Sequence, residues 1–250
     1  MGNAADVTYI DLGPRNGSEI NALLRSLRFL PCVRLQVHAV EADPDNIEKC
    51  RGFFANESRI KWHNFAIGAS DTKAVDFYLE AKGAGSSIYG DKGNVERPIK
   101  VLQRRFSSWV ESEGILPGTP ASINIIKTNI EGAEWDLITD MDRHRLFEKF
   151  DIFCGPGPRA NGWIGDIGKV PAIRHLQSTA ESILIKHDVI IQEWHGDCQG
   201  MFDMRGAVVQ LLRERGVNTP GEPIRKCLKD AVNYLDIKKQ QIISRSVRPV

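Results

Sequence analysis

The chain has 250 residues, enough for one large domain or two small ones, with a sizeable core either way. With 42% hydrophobic residues, 26% charged residues and a formal net charge of +1, it carries no global field that would draw it to nucleic acid or an anionic membrane. No apolar run approaches the roughly 20 residues that span a bilayer, and "MGNAADVTYI" lacks the basic-then-apolar pattern of a secretory signal. Cys32, Cys50, Cys154, Cys198 and Cys227 are scattered and form no C-x-x-C pair. That argues against a zinc knuckle and for free thiols in a reducing, cytoplasmic setting.

In chain order, Val7 to Leu12 reads as a short buried strand, and Leu23, Leu24, Leu27 and Leu30 then follow helical spacing. Leu35 to Glu41 is strand-like. "DPDN" opens a second helix with Asp43 as N-cap and Pro44 at the first helical position, its inward face being Ile47, Cys50, Phe53 and Phe54. Ile60 to Ile67 reads as a third strand, and the alternation of Val75, Phe77 and Leu79 with polar neighbours as a half-exposed one. After a Gly/Ser-rich loop come a strand around Ile99–Leu102, a buried strand from Ile123 to Lys127 and a helix from Ala133. Lys149–Cys154 and Val189–Trp194 read as strands, and Ala207, Val208, Leu211 and Leu212 mark a helix ending at Gly216. The expected fold class is α/β, a doubly wound, mainly parallel sheet in a single domain over 1–250. The stretch at about 150–187 reads either as another βα unit or, the reading preferred, as an insertion or lid over the sheet, and its "GPGPRANGW" as irregular.

In an open parallel sheet, ligands bind beyond the carboxyl ends of the strands, where strand order reverses. "DLGPRNG" falls there, with Gly13 and Gly17 allowing a sharp turn and close backbone approach. It is not the dinucleotide fingerprint, because Arg15 stands where the middle glycine belongs. Thirty residues after Asp11, Glu41 ends the second strand, where a carboxylate can accept from both hydroxyls of an adenosine ribose. Two glycines in the turn plus this acid suit S-adenosylmethionine as well as NAD, and the missing glycine tips the balance to the former.

A third element, "KTNIEGAEWDLI", completes a pattern with "YIDLGPRNG", "VEADPDN", "FAIGASDTKAVDFY" and "GSSIYG". In this order and spacing these segments resemble the FkbM-type family of S-adenosylmethionine-dependent methyltransferases. The resemblance runs from about residue 7 to 140 and extends through "IIQEWH" and "LLRERGV" to about 217. It implies the Rossmann-like class I methyltransferase fold and methylation of a hydroxyl on a sugar, polyketide or similar small molecule. It also implies that Asp11, Gly13 and Gly17 lie beside the methionine end of S-adenosylmethionine, Glu41 on its ribose, and Asn64, Phe65 and Ala66 near its adenine. Lys127, Asn129, Glu131 and Gly132 would line the mouth of the site. Asn129 stands where the family carries an acid; it accepts a hydrogen bond but has no charge, so no dedicated metal is expected.

Methyl transfer to a hydroxyl needs the acceptor oxygen held in line and a base for its proton. The candidates are His195, Glu193 and Asp197 in "QEWHGD", with Glu131, and Lys127 if burial lowers its pKa. His195 leads, since it follows a buried strand ending at the same sheet edge. Trp163 and Trp194 could wall an acceptor pocket. The expected partner is a small-molecule hydroxyl acceptor, with no nucleic acid and no membrane. Two alternatives stay open: a methyltransferase-fold binding module without turnover, as Asn129 allows, and a nicotinamide-dependent oxidoreductase.

Overall fold

Alternation along the first strand sets the architecture. In β1 (Ala5–Leu12), Val7 and Tyr9 point into one apolar cluster, while Ile10 and Leu12 point into another on the opposite face. A strand buried on both faces must be covered on both, and the rest of the chain supplies that cover. The protein is seen here as a computed structural model that describes residues 4–80, 85–90, 95–155, 171–189, 191–192 and 198–219.

β1 leads through a turn into α1 (Ser18–Leu27), then β2 (Val33–Val40), α2 (Pro44–Phe53) and β3 (Ile60–His63). β4 (Ala66–Ile67), β5 (Thr72–Glu80) and β6 (Val95–Arg104) follow, then α3 (Phe106–Ser112), β7 (Ile123–Thr128) and α4 (Glu134–Arg143). Beyond a single 3-10 turn (Phe147–Lys149) come β8 (Ile152–Cys154), α5 (Pro171–Lys186), β9 (Ile191–Gln192) and α6 (Cys198–Glu214). The main sheet has the order β3-β2-β1-β7-β8-β9, and every pairing in it is parallel. This is a Rossmann-like, doubly wound α/β arrangement whose order reverses between β1 and β7. α1 and α6 pack on the face of Tyr9; α3, α4 and α5 cover the face of Ile10 and Leu12. Among the described residues no helix is long and apolar enough to cross a membrane.

Four features differ from the sequence reading. Ile60–Ile67 is not one strand: β3 ends at His63, and β4 joins a separate sheet of order β4-β6-β5, in which β5 and β6 are antiparallel. Phe53 faces water at 73% exposed, because Phe54 takes the inward place beside Gly17 and Trp62. The short helix α3, which buries Phe106 and Trp109, was not anticipated; at seven residues it is too brief for a periodic signal. Over 150–187 the described elements fit the other reading, a βα unit, rather than the preferred insertion: β8 is a strand of the main sheet, and α5 buries Ala180, Ile183 and Leu184 on the face of α4. The segment 156–170, with Trp163, lies outside the described residues.

Packing against Trp109 also creates a pH-sensitive spot. His38 in β2 is 2% exposed, its Nδ1 is 3.2 Å from Nε2 of His63, and both rings meet Trp109 edge-on. Burial, helped by His63 and Lys61, pushes the His38 imidazole down to about 4. The folded chain therefore binds fewer protons than the unfolded chain, and this contribution to stability, full above pH ~6.5, is lost as pH falls towards 4. The unfolding free energy measured by urea denaturation is expected to fall from pH 7 to 5.5, by up to about 1.4 kcal/mol per pH unit for one histidine. His38→Leu should flatten that fall; an unchanged slope would show that His38 is not its source.

Candidate functional site

The carboxyl ends of β1, β2 and β7 are tied into one rim. Gly13 N–H donates to the Val40 carbonyl (2.9 Å), and Asn129 N–H donates to the Leu12 carbonyl (2.9 Å). Glu41 N–H donates to the His63 carbonyl (3.0 Å), carrying the rim on to β3. A cleft of about 590 Å³, counting its open mouth, lies above this rim at the reversal of strand order. Its polar lining residues include Arg15, Glu41, Asn46, Asn129 and Glu131. Its apolar lining includes Phe65, Ala66, Ile67 and Phe77, with Ile88 from the segment 85–90.

Two backbone positions explain how closely the walls approach. Gly13 has φ +79°, and a Cβ there would stand 2.1 Å from the Asn129 carbonyl oxygen. No other residue could hold that turn against β7 without moving it. Gly17 (φ +72°) caps α1 with its open side against the Phe54 ring, where a Cβ would lie 2.5 Å from a ring carbon. Two non-glycine residues lining the cleft also have left-handed backbones, Arg15 (φ 51°) and Glu131 (φ 55°). Such conformations cost of order 1–3 kcal/mol and persist where neighbours over-determine them, most often at ligand sites.

The neighbours doing so are visible. Glu41 is 7% exposed; its Oε2 accepts from Arg15 N–H (3.1 Å) and its Oε1 from Asp43 N–H (2.9 Å). Burial pushes its carboxyl above the usual range, against the pull of those two N–H groups. Each oxygen retains a lone pair for a further donor. On the other wall, Glu134 accepts from Ile130 N–H and Gly132 N–H, each at 2.6 Å, and so fixes the loop that presents Glu131. The segment 85–90 docks across the top: Ser87 Oγ donates to the Glu131 carbonyl (2.7 Å), and Tyr89 OH donates to Asp136 (2.9 Å). Ser86 and Ile88, alternating with them, line the cleft.

Of the residues read from the sequence, Gly13, Glu41, Phe65, Ala66, Asn129 and Glu131 come together along the cleft. Gly17 shapes the turn from behind. Asn64 does not face the cleft: its amide donates to the Glu41 carbonyl (2.8 Å) and the Ala42 carbonyl (3.2 Å), bracing the strand end that carries the acid. Asp11 and Lys127 lie beneath the floor, 0% and 3% exposed, with Lys127 Nζ 2.9 Å from Asp11 Oδ1 and 2.9 Å from the Gly13 carbonyl it donates to. Burial works against the Lys127 ammonium, but Asp11 beside it, with Glu19 further off, outweighs burial and holds its pKa above the usual lysine range. Lys127 therefore keeps its proton and anchors the turn, which corrects its reading as a base at the mouth. His195, Glu193, Trp194 and Asp197 lie outside the described residues.

Glu134, Ser87 and Phe77 were missed as site-forming residues. Glu134 and Ser87 sit inside the quoted motifs, yet only the folded loop shows that one binds two N–H groups and the other a carbonyl. Among the described residues, no three His, Cys, Asp or Glu side chains are grouped to hold a metal ion.

Fold and site together define a Rossmann-like α/β protein with a half-polar, half-apolar cleft at the switch point of a parallel sheet. No known protein family matches the chain, and no curated protein matches it.

Proposed function

We propose that the chain is an S-adenosylmethionine-dependent methyltransferase of the class I fold, acting on a hydroxyl of a small molecule. The observation that carries this reading is Glu41, a buried carboxylate with spare lone pairs at the end of β2, in a cleft that Phe65, Ala66, Ile67 and Phe77 also line. That pairing suits a nucleoside: Glu41 accepts from the ribose hydroxyls, and Phe65, Ala66, Ile67 and Phe77 enclose the flat base. The turn from Gly13 to Gly17 supports the chain leading from the ribose. When bound, the cofactor supplies a methyl group made electrophilic by its sulfonium.

The remaining work belongs to the chain. The Asp11–Lys127 pair keeps Gly13 against Asn129, and the segment 85–90 limits water above the slot. Positioning of an acceptor in this way can supply several kcal/mol, up to roughly 7–11. Of the residues read as proton acceptors, Glu131 is the one lining the cleft among the described residues, and the role of base falls to it. The uncharged Asn129 leaves a second reading, a binding module of the same fold without turnover.

Calorimetric titration of the full chain with S-adenosylmethionine, S-adenosylhomocysteine and NAD tests the proposal. Binding of neither sulfur compound ends it, and binding without S-adenosylhomocysteine production across a broad acceptor screen favours the module. Glu41→Ala is expected to weaken S-adenosylhomocysteine binding by at least about 1 kcal/mol, roughly fivefold. The loss should be smaller when the same comparison is made with the 2′,3′-dideoxy nucleoside. An equal loss for both would move the ribose elsewhere.

A further inference from the structure

Arg15 is the one cation among the described residues that line the cleft, where it shares the polar side with Glu41 and Glu131. Its place is unusual. A left-handed backbone at φ 51° is one that glycine or asparagine adopts readily and arginine does not. Both backbone polar groups of Arg15 are nonetheless tied: its N–H donates to Glu41 Oε2 (3.1 Å), and its carbonyl accepts from Cys50 Sγ (3.2 Å). The residue is thus held in a strained conformation at the cleft wall by contacts that use only its backbone. Its side chain is exposed, and its guanidinium meets no acid among the described residues.

This arginine is kept at the rim of a cleft whose lining also includes the acids Glu41 and Glu131. An anionic ligand entering there would be repelled by the Glu41 carboxylate, which faces backbone N–H groups of Arg15 and Asp43, unless a cation offset it. A guanidinium presents two parallel N–H donors that match a carboxylate.

We infer that Arg15 makes the cleft selective for ligands bearing a carboxylate, which it binds through its guanidinium. This rests on the nucleoside reading of the cleft and assigns the group that distinguishes one nucleoside from another. S-adenosylhomocysteine carries a carboxylate, 5′-methylthioadenosine has the same nucleoside and thioether without it, and adenosine 5′-monophosphate offers a phosphate instead.

The experiment is calorimetric titration of the full chain and of Arg15→Asn with these three compounds. Asparagine tolerates the left-handed backbone, so the turn is kept while the charge is removed. The wild type should bind S-adenosylhomocysteine more tightly than 5′-methylthioadenosine. Arg15→Asn should lose at least about tenfold in affinity for the former and bind the latter unchanged, with Arg15→Lys intermediate. Equal S-adenosylhomocysteine affinity in the wild type and Arg15→Asn overturns the assignment while leaving the nucleoside reading intact. A loss confined to adenosine 5′-monophosphate overturns it in favour of a phosphate. Binding of none of the three by the wild type removes the nucleoside reading and the assignment with it.

Discussion

Lys127→Met is expected to destabilise the protein by about 3–5 kcal/mol, because it strands a fully buried carboxylate. Asp11 is 0% exposed, and its close cationic partner is the Lys127 ammonium at 2.9 Å. Lys127 Nζ stands within ion-pair distance of Asp11 Oδ1, and Tyr9 OH donates to Oδ2 at 3.3 Å. The attraction is strong because water is excluded from around both groups. Lys127 also donates to the Gly13 carbonyl, so its loss loosens the turn at the cleft floor. The double variant Asp11→Leu/Lys127→Met removes both charges and is expected to recover to within about 1–2 kcal/mol of the wild type, the residue being the unmet Gly13 carbonyl. Urea denaturation of the four proteins of this cycle measures the coupling directly. A cost below about 1 kcal/mol for the single variant would mean that the pair is solvated in solution.

Gly13→Ala is expected to cost about 2–5 kcal/mol and to abolish ligand binding in the cleft. A left-handed alanine costs about 1–2 kcal/mol, and forcing a methyl into a packed site typically adds 1–3. Here the added carbon would stand 2.1 Å from a backbone carbonyl oxygen, which unlike a side-chain tip cannot swing away. The turn or the Asn129 loop must move, and both are walls of the cleft. Thermal unfolding measures the first effect and titration with S-adenosylhomocysteine the second. Gly114, also at positive φ but with open space around it, is the control: Gly114→Ala carries the backbone cost without the collision. If the two variants behave alike, the close approach to Asn129 is not what requires glycine at position 13.

Legibility followed the range of the interactions. The α2 N-terminus was plain from "DPDN" because capping is local: Asp43 accepts from Asp45 N–H (2.9 Å) and Asn46 N–H (3.4 Å), as its position before Pro44 suggested. The buried strands were equally plain, since burial on both faces leaves mainly apolar runs, interrupted in β1 by Asp6, Thr8 and Asp11 and in β7 by Asn124 and Lys127. The break between His63 and Ala66 was not, because the apolar pattern continues while the backbone changes sheets. Lys127 shows the same limit at the site. A lysine at the end of a strand can be a base or an anchor, and the choice depends on Asp11, 116 positions earlier in the chain, lying beside it.

The sequence by itself determined the βα rhythm, the turn glycines, the acid ending β2 and the rim on which they gather, because each is encoded in residues close to one another. Tertiary structure alone decided which of those residues reach the cleft. It turned Asn64 to brace a strand end, sank Lys127 beneath the floor, and brought Phe77 and Ile88 across from a second sheet and the segment beside it. It also decided the standing of Arg15, which in the sequence only interrupts a glycine pattern. The fold ties its backbone to Glu41 and Cys50 and leaves its charge at the rim of the cleft. Those assignments depend on contacts between distant segments, where packing and exclusion of water set the energy, and no local pattern records them.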